Sequence, residues 1–388
     1  MRVLATCTPG AGHINAMAPL LAALQAAGHN VLVVTATESV DYVAGLGFEV
    51  RHGGLAVAER RRTFEPRLAE VMALPPRERR GLYFSGFFAD AAAPVMRLAL
   101  EPVFAEFRPD VAIHEIAELA AAPMAVARGI PHATVAFSGS LPDSAQPLLI
   151  DAIAPTWHAE GLPTPTLDDT RGAVFLHPFP PSFGQVPASG VVKPMRVVGL
   201  EPVDDAIPPW LASAGIARPL VYMTAGTERA GTMAPWAAGI AALGSLDVDA
   251  VATIGPHLDP IELGDVPPNV RVERFVPYHA ILDRASVVMS HAGAGSLLGA
   301  ARQGLAQLLY PLGADQWENA DAASGAGVGL TCELEQRSRD DIAGMLDRLL
   351  NDASFATAAG QVAAEIAAMP HPTAHVATIE ALAGTGGA

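Results

Sequence analysis

Cysteine, basic charge and long apolar runs are all scarce in this chain of 388 residues. The only two cysteines, Cys7 and Cys332, lie far apart, which excludes a disulfide framework or a cysteine-rich zinc site and predicts two inert, buried thiols. With 24 basic against 40 acidic residues, the net charge is −16, which argues against a nucleic-acid-binding surface. No stretch reaches the ~18 consecutive apolar residues of a membrane-spanning helix.

Two local features depart from these averages. The first residues are apolar, but Pro9–His13 ends the run too early for a signal peptide, so we expect a first β-strand and a cytoplasmic protein. A cluster of arginines is interpreted as the solvated face of surface helices rather than a binding site: Arg60, Arg61, Arg62, Arg77, Arg79 and Arg80.

The order of apolar segments predicts an α/β fold with two facing Rossmann-like, doubly wound domains. In the first half, strand patterns at 3–6, 30–35, 111–114 and 132–137 alternate with helical patterns at 16–27 and 119–128. The second half repeats the theme, with strands predicted at 220–224, 251–254, 270–274, 287–290 and 308–310 and final helices between 340 and 382. Each half contains a strand, a glycine-rich turn with a histidine, and a helix.

Composition shifts suggest the domain limits. We predict a first domain at 1–200, a linker at 201–218, a second domain at 219–370, and a C-terminal helix at 371–388 that packs back on the first domain. The stretch 138–194 is rich in proline and aperiodic, so part of it is expected to be loop.

A glycine-rich turn follows the strand predicted at 287–290 and opens a helix. In Ser290–Ser296, small residues let the backbone approach an anion, and free N–H groups and the helix dipole favour negative charge there. His291 and Ser296 add side-chain donors, so the turn suits a phosphate. A turn of this kind can also serve only to join a strand to a helix, and the turn alone leaves both interpretations open.

The next strand ends in a second polar turn. Asp315 and Gln316 together can accept and donate hydrogen bonds to adjacent hydroxyls, as recognition of a sugar requires. The alternative is that Asp315 caps the helix that follows.

In combination, these turns resemble the donor-binding signature of glycosyltransferase family 1, which has the two-domain GT-B fold and includes plant secondary-product enzymes and actinomycete antibiotic glycosyltransferases. The resemblance rests on segments spread over nearly the whole chain: Pro9–His13, Pro19-Leu20, Val221–Thr224 with Gly226-Thr227, Phe275-Val276-Pro277, His291-x-Gly293-x-Gly295-Ser296 and Pro311-x-x-x-Asp315-Gln316.

The resemblance implies a role for each of these donor-site residues. The diphosphate would be held by His291, Gly293, Gly295 and Ser296, with Gly226 and Thr227 beside them. Asp315 and Gln316 would bind sugar hydroxyls. Val276 and the neighbouring backbone would pack the base, next to Phe275, where plant members have tryptophan.

One departure from the plant pattern bears on the donor. Plant relatives carry a ribose-binding glutamate three residues after the signature serine, and this chain has Gly299 there. A site without that acceptor suits 2′-deoxyribose, which favours a dTDP-sugar as co-substrate; a UDP-sugar is the alternative. No other cofactor is expected.

His13 is the candidate general base. It ends the first glycine-rich loop near the start of a helix, and a neutral imidazole is suited to take a proton from an acceptor hydroxyl near pH 7. Family members orient this histidine with an aspartate at the end of a strand, and Glu115 stands there, with Glu118 as a second candidate. Glu115 could instead be a carboxylate stabilised by a helix N-terminus. Direct attack predicts inversion, and donors in the diphosphate turn make a metal unnecessary.

The acceptor is expected to contact an aromatic group of the first domain: Tyr83, Phe84, Phe87 and Phe88. The same residues could form the buried stripe of a helix. We expect a small-molecule natural-product acceptor. The sequence does not decide its identity, that of the sugar, the need for an auxiliary protein, or whether the chain forms a homodimer.

Two other classes of function compete with the glycosyltransferase. A dinucleotide-dependent oxidoreductase is suggested by the first glycine-rich turn and by Glu38, but Asn15 stands where that fingerprint needs a small residue. A non-catalytic auxiliary protein of the same fold would not need both His13 and Glu115.

Overall fold

A computed structural model of the chain describes residues 1–187, 191–198, 207–226 and 229–385. These residues form two compact α/β units. The first comprises Met1–Pro178, Val186–Leu200 and Met369–Ala388, and the second comprises Phe179–Gln185 and Glu201–Ala368. The predicted linker lies partly outside the described residues, and the predicted domain limits stay predictions.

The first unit is built on a seven-stranded, all-parallel sheet. Its strands are β1 (Arg2–Thr6), β2 (Asn30–Thr35), β3 (Glu49–His52), β4 (Val111–Glu115), β5 (His132–Val135), β6 (Val174–His177) and β7 (Val192–Pro194). They lie in the order β3-β2-β1-β4-β5-β6-β7. Apolar residues on both faces of the sheet are buried under helices, as parallel sheets require.

Helices of the first unit connect these strands. They are α1 (Ala11–Ala26), α2 (Thr37–Gly45), α3 (Val57–Ala73), α4 (Arg79–Phe84), α5 (Ala93–Phe107), α6 (Ala121–Ala127), α7 (Gln146–His158) and α8 (Leu167–Arg171). A π-helical segment, Ser85–Ala92, joins α4 to α5. Such wide turns are uncommon and often lie near functional sites.

The second unit repeats the architecture with six parallel strands. They are β8 (Leu220–Thr224), β9 (Asp249–Thr253), β10 (Val270–Glu273), β11 (Val287–Ser290), β12 (Ala306–Leu309) and β13 (Gly329–Thr331), in the order β10-β9-β8-β11-β12-β13. Its helices are α9 (Trp236–Gly244), α10 (Tyr278–Leu282), α11 (Ala294–Arg302), α12 (Gln316–Gly325), α13 (Arg339–Asn351) and α14 (Ala353–Ala368).

The last helix, α15 (Val376–Thr385), belongs to the first unit. Its Ile379 is fully buried among residues of β1, β2 and α1, and Glu380 pairs with His29 at 2.9 Å.

Most predicted strands are confirmed, and one expectation is wrong. The stretch 138–194 is partly loop, as expected, but it also contains α7, α8, β6 and β7, in which residues such as Leu149 and Phe175 are buried despite the proline content. The arginine cluster is not wholly a solvated face, since Arg60 and Arg80 are buried. Arg60 stacks over the Phe87 ring at 4.1 Å, so its stem and guanidinium lie in an aromatic pocket.

Both cysteines are buried, as expected. Burial raises the pKa of Cys7 to about 12 and that of Cys332 to about 11, so neither thiol ionises near neutral pH. Among the described residues, no helix combines the length and apolarity needed to cross a bilayer.

Candidate active site

The predicted base and its partner follow two neighbouring strands of the first unit. β1 and β4 pair in parallel, with Thr6 opposite His114, so the residues after Thr6 and the end of β4 meet at one edge of the sheet. Gly10, at a φ of 135° that only glycine adopts readily, turns the chain into α1 and places His13 in its first turn. Glu115 is the last residue of β4.

His13 and Glu115 are in direct contact. Nδ1 of His13 lies 3.1 Å from Oε1 of Glu115 and 2.8 Å from the Thr8 hydroxyl, which itself donates to the same carboxylate oxygen at 2.6 Å. Because a carboxylate oxygen can only accept, this arrangement puts the ring proton on Nδ1 and leaves Nε2 as the basic nitrogen. The His13 side chain is 17% exposed, whereas Glu115 is fully buried.

Glu115 is held as a carboxylate. Burial acts to raise its pKa, but the charge and hydrogen bond of His13 and the hydrogen bonds from Thr8 outweigh burial, so the pKa lies below its usual value. The backbone N–H groups of Thr8 and Ala117 also donate to it. Glu115 therefore stays charged at neutral pH, where it can orient the ring and stabilise an imidazolium.

Glu118, the second candidate, has a separate set of partners. It accepts hydrogen bonds from the Thr6 hydroxyl and from the N–H groups of Ala120 and Ala121. Burial raises its pKa to about 7. The structure brings Glu115, and not Glu118, into contact with His13.

The aromatic group is mostly buried. Phe84, Phe87 and Phe88 belong to one apolar core, and the Tyr83 ring stacks on Phe87 at 4.9 Å. Two of the four also line small cavities of the first unit: Phe88 borders one of about 10 Å³ with Thr8 and Glu118, and Phe84 borders one of about 40 Å³. The Phe88 ring centroid is 6.0 Å from that of His13. The group is thus a buried stripe that also reaches the histidine.

The predicted donor residues of the second unit gather after three adjacent strands. Gly226 follows β8, the glycine-rich turn follows β11, and the polar turn follows β12, and these strands are neighbours in the sheet. Thr227 lies outside the described residues. Parallel strands therefore bring the two donor turns, 291–296 and 311–316, to the same edge.

Glycines make room for the ring of His291. A Cβ at Gly293 would stand 2.4 Å from Nε2, and one at Gly226 would stand 3.0 Å from Cε1. Burial lowers the pKa of His291 to about 4, so the ring is neutral at pH 7 and can donate one hydrogen bond. A Cβ at Gly295 would meet nothing within 4 Å, which leaves space beside the helix start next to Ser296.

The polar turn is organised by its own helix. Asp315 stands at the N-cap of α12 without making a side-chain cap, which removes the capping alternative; its Oδ2 instead accepts from Nδ2 of Asn319 at 2.9 Å. Oε1 of Gln316 accepts from the backbone N–H groups of Leu312 and Gly313 at 2.7 and 3.0 Å. Gln316 therefore shapes the turn through its oxygen, while its amide nitrogen makes no hydrogen bond with any residue that the structure describes.

Backbone strain concentrates in these turns. Of the three described non-glycine residues with positive φ, Ala292 (63°) and Ala314 (53°) lie in the two donor turns. This conformation costs about 1–2 kcal/mol per residue and is retained where surrounding contacts impose it, often at binding sites.

The segment predicted to contact the base divides into an exposed and a buried part. Phe275 is 61% exposed, but the Val276 side chain is 2% exposed inside an apolar cluster, so only its backbone can meet a ligand. Tyr278 lies over Gly299, where a Cβ would stand 2.5 Å from its ring, and its hydroxyl donates to the Ser296 carbonyl at 2.6 Å.

Sequence reasoning missed Thr8 and Tyr278. Thr8 lies five residues before His13, a short spacing that could have signalled a partner of the imidazole, whereas no local signal places Tyr278 over Gly299. Glu38 lies in the first turn of α2, where its carboxylate accepts from the Val57 N–H. Within the described parts of the chain, no group of three or more metal-ligating side chains is present.

Comparisons with known proteins place this geometry in a family. Residues 237–382 match the model of the C-terminal domain of erythromycin biosynthesis protein CIII-like proteins. The chain is 31% identical to L-demethylnoviosyl transferase of Streptomyces niveus, over 96% of each chain. The chain belongs to the antibiotic glycosyltransferases of actinomycetes.

Solved structures agree with this assignment and with the GT-B fold. This glycosyltransferase resembles SnogD from Streptomyces nogalater with a TM-score of 0.78 and 28% identity over 99% of each chain. It resembles VinC, solved in complex with dTDP, with a TM-score of 0.81 and 25% identity over 99% of this chain and 100% of that one.

Proposed function

We propose that this glycosyltransferase moves a sugar, with inversion at the anomeric carbon and without a metal, from a dTDP-sugar to a hydroxyl of a small natural-product acceptor. The observation that carries the proposal is the contact of His13 with Glu115, which leaves Nε2 of a partly exposed imidazole able to accept a proton.

The proposed reaction is a single displacement. Nε2 of His13 takes the proton of the acceptor hydroxyl, and that oxygen forms a bond to C1 of the sugar. The bond between C1 and the diphosphate oxygen breaks at the same time, and its electron pair leaves with dTDP. Glu115 stabilises the imidazolium that forms, and one displacement inverts C1.

The donor turns suit the leaving group. Backbone N–H groups at the start of α11, the Ser296 hydroxyl and the neutral ring of His291 can donate to a diphosphate without a metal. Asp315 has one carboxylate oxygen committed to Asn319, which leaves Oδ1 for a sugar hydroxyl.

A dTDP donor is supported by two observations. VinC, a structural relative, was solved with dTDP. In this chain the Tyr278 ring fills the space over Gly299, so no carboxylate stands there to accept from a ribose 2′-hydroxyl. A UDP-sugar is the competing donor.

Calorimetric titration of dTDP and UDP tests this choice. We expect the native chain to bind dTDP more tightly. In Gly299→Glu combined with Tyr278→Ala, which removes the clashing ring, the affinity for UDP relative to dTDP should rise about tenfold, the size of one added hydrogen bond to a charged group. Tyr278→Ala alone is the matched control. Equal affinities in the native chain, or an unchanged ratio in the double variant, would reject the deoxyribose argument.

A non-catalytic role is separated from this proposal by donor turnover. The native chain should hydrolyse a dTDP-sugar slowly in the absence of acceptor, because water can replace the acceptor hydroxyl. Binding of dTDP without any turnover of a range of dTDP-sugars would favour an auxiliary protein.

A further inference from the structure

We propose that Asn319 is a positioning residue that ties the diphosphate turn to the sugar-binding carboxylate. This inference rests on the proposed function, since it assumes that the turns at 291–296 and 311–316 bind the two parts of one donor. Nothing in the sequence pattern marks Asn319, because it looks like an ordinary position in the first turns of α12.

The contacts of Asn319 are specific. The residue is fully buried, and its Nδ2 donates to the Ala292 carbonyl and to Oδ2 of Asp315, each at 2.9 Å. Both partners are acceptors only, so the orientation of the amide is determined by its surroundings: the nitrogen must face them. Both N–H groups of the amide are thereby used.

The backbone of Ala292, in the diphosphate turn, is held in an unfavourable conformation by its contacts. Ala292 has a φ of 63°, and its N–H is held by the Ser290 hydroxyl at 3.2 Å, while its methyl group is buried. A non-glycine residue stays in this region only where contacts impose it. The hydrogen bond from Asn319 is such a contact, and it sets the peptide that leads into Gly293 and the start of α11.

Asp315 is the other end of the link. Its carboxylate does not cap α12. Instead, the carboxylate accepts a hydrogen bond from Asn319, which lies four residues and about one helical turn later, and this bond holds the carboxylate in place. The amide has no net charge, so the contact orients Asp315 without cancelling its charge. Oδ1 accepts no hydrogen bond from any residue that the structure describes and stays available to a hydroxyl.

The link has a consequence for the reaction. In the donor, sugar and diphosphate are joined by the C1–O bond that breaks during transfer. The distance between the two turns therefore sets the direction of that bond, and a displacement of about 1 Å can lower the rate about a hundredfold. A side chain that touches no substrate can thus affect kcat as well as donor binding.

The test compares Asn319→Ser and the isosteric Asn319→Asp with Asn269→Ser. Asn269 is a matched control because its amide also donates to backbone carbonyls of the second unit, those of Leu243, Leu246 and Val248, but it contacts neither donor turn. For each protein, dTDP affinity, the donor KM and kcat, and amide hydrogen exchange of residues 290–298 are measured below the melting temperature.

We expect both Asn319 variants to lower kcat by about 10- to 100-fold, to weaken dTDP binding, and to speed exchange at 290–298. Asn269→Ser should lower only the melting temperature. Unchanged kcat and exchange in a folded Asn319→Ser, or equal changes in Asn269→Ser, would overturn the proposal. So would loss of cooperative melting in both Asn319 variants while Asn269→Ser folds, since that marks a purely structural role.

The dTDP titrations and the donor kinetics separate this inference from the proposed function. If the native chain binds no dTDP, the donor assignment fails. Should the native chain bind dTDP while both Asn319 variants bind and turn over the donor normally, the donor assignment stands and the positioning role fails.

Discussion

His13 and His291 follow the same local pattern in the two units, a strand, a glycine-rich turn and a helix, yet their surroundings differ. His13 contacts a buried carboxylate and keeps one nitrogen near the surface. His291 lies between Gly226 and Gly293, and burial lowers its pKa to about 4. The motif fixes where each imidazole stands, and its neighbours determine its chemistry. We propose proton transfer for His13 and neutral hydrogen-bond donation for His291.

The largest expected effect is on kcat, and it tests the difference between the two histidines directly. His13→Ala should lower kcat by about 10²- to 10⁴-fold, the usual loss for a general base, and leave dTDP affinity unchanged. His291→Ala should do the reverse, weakening dTDP binding more than it lowers kcat at saturating donor. Calorimetry and steady-state kinetics measure both. The variant His29→Ala, which loses a similar contact with Glu380, is the control.

The next effect concerns the carboxylate. Glu115→Gln should lower kcat by up to about 10⁴-fold, because the imidazolium loses its charged partner. Glu380→Gln, which removes the exposed partner of His29, should leave kcat unchanged. Full activity in Glu115→Gln would mean that the contact with His13 is structural only.

The smallest expected effect is on how the stability of the fold depends on pH. The pKa of Glu118 is raised by burial to about 7 from an unfolded value near 4.5, so the folded state holds the proton more tightly. Its stabilising contribution is full below about pH 4.5 and is lost as pH rises through about 7. Glu118→Gln should remove this decline. Between pH 5 and 8, the melting temperature of Glu118→Gln should therefore fall about 5 °C less than that of the native chain.

A matched control for this measurement is Glu335→Gln, an exposed carboxylate in the second unit. It should reproduce the native pH dependence. An unchanged pH dependence in Glu118→Gln would show that Glu118 does not hold a proton in the folded chain.

Much of the fold could be predicted because strands buried on both faces are continuous apolar runs. Asn30–Thr35, Leu220–Thr224 and Val287–Ser290 were predicted with their observed limits. The stretch 138–194 could not be assigned, because α7 contains Pro147 and Pro155 and is held by the packing of Leu149, Ile153 and Trp157 rather than by local propensity. The π-helical segment has no sequence signal of its own.

The candidate site shows the same limit. Glu115 and Asp315 are found from sequence through the family resemblance, and their places at the end of β4 and in the turn after β12 agree with it. Whether a side chain is buried is not found from sequence in the same way. The side chain of Val276, which was expected to pack the base, lies in the core instead. Contacts between elements that are distant in sequence cannot be predicted either. Asn319 donates a hydrogen bond to Ala292, 27 residues earlier, and Tyr278 donates one to Ser296 of another helix.

The central claim is that Glu115 acts on the reaction only through His13. It is tested most directly by kcat at saturating donor and acceptor for His13→Ala, Glu115→Gln and the double variant. Residues that act as one unit are not additive, so the double variant should lose no more than His13→Ala alone. Multiplied losses in the double variant would contradict the account.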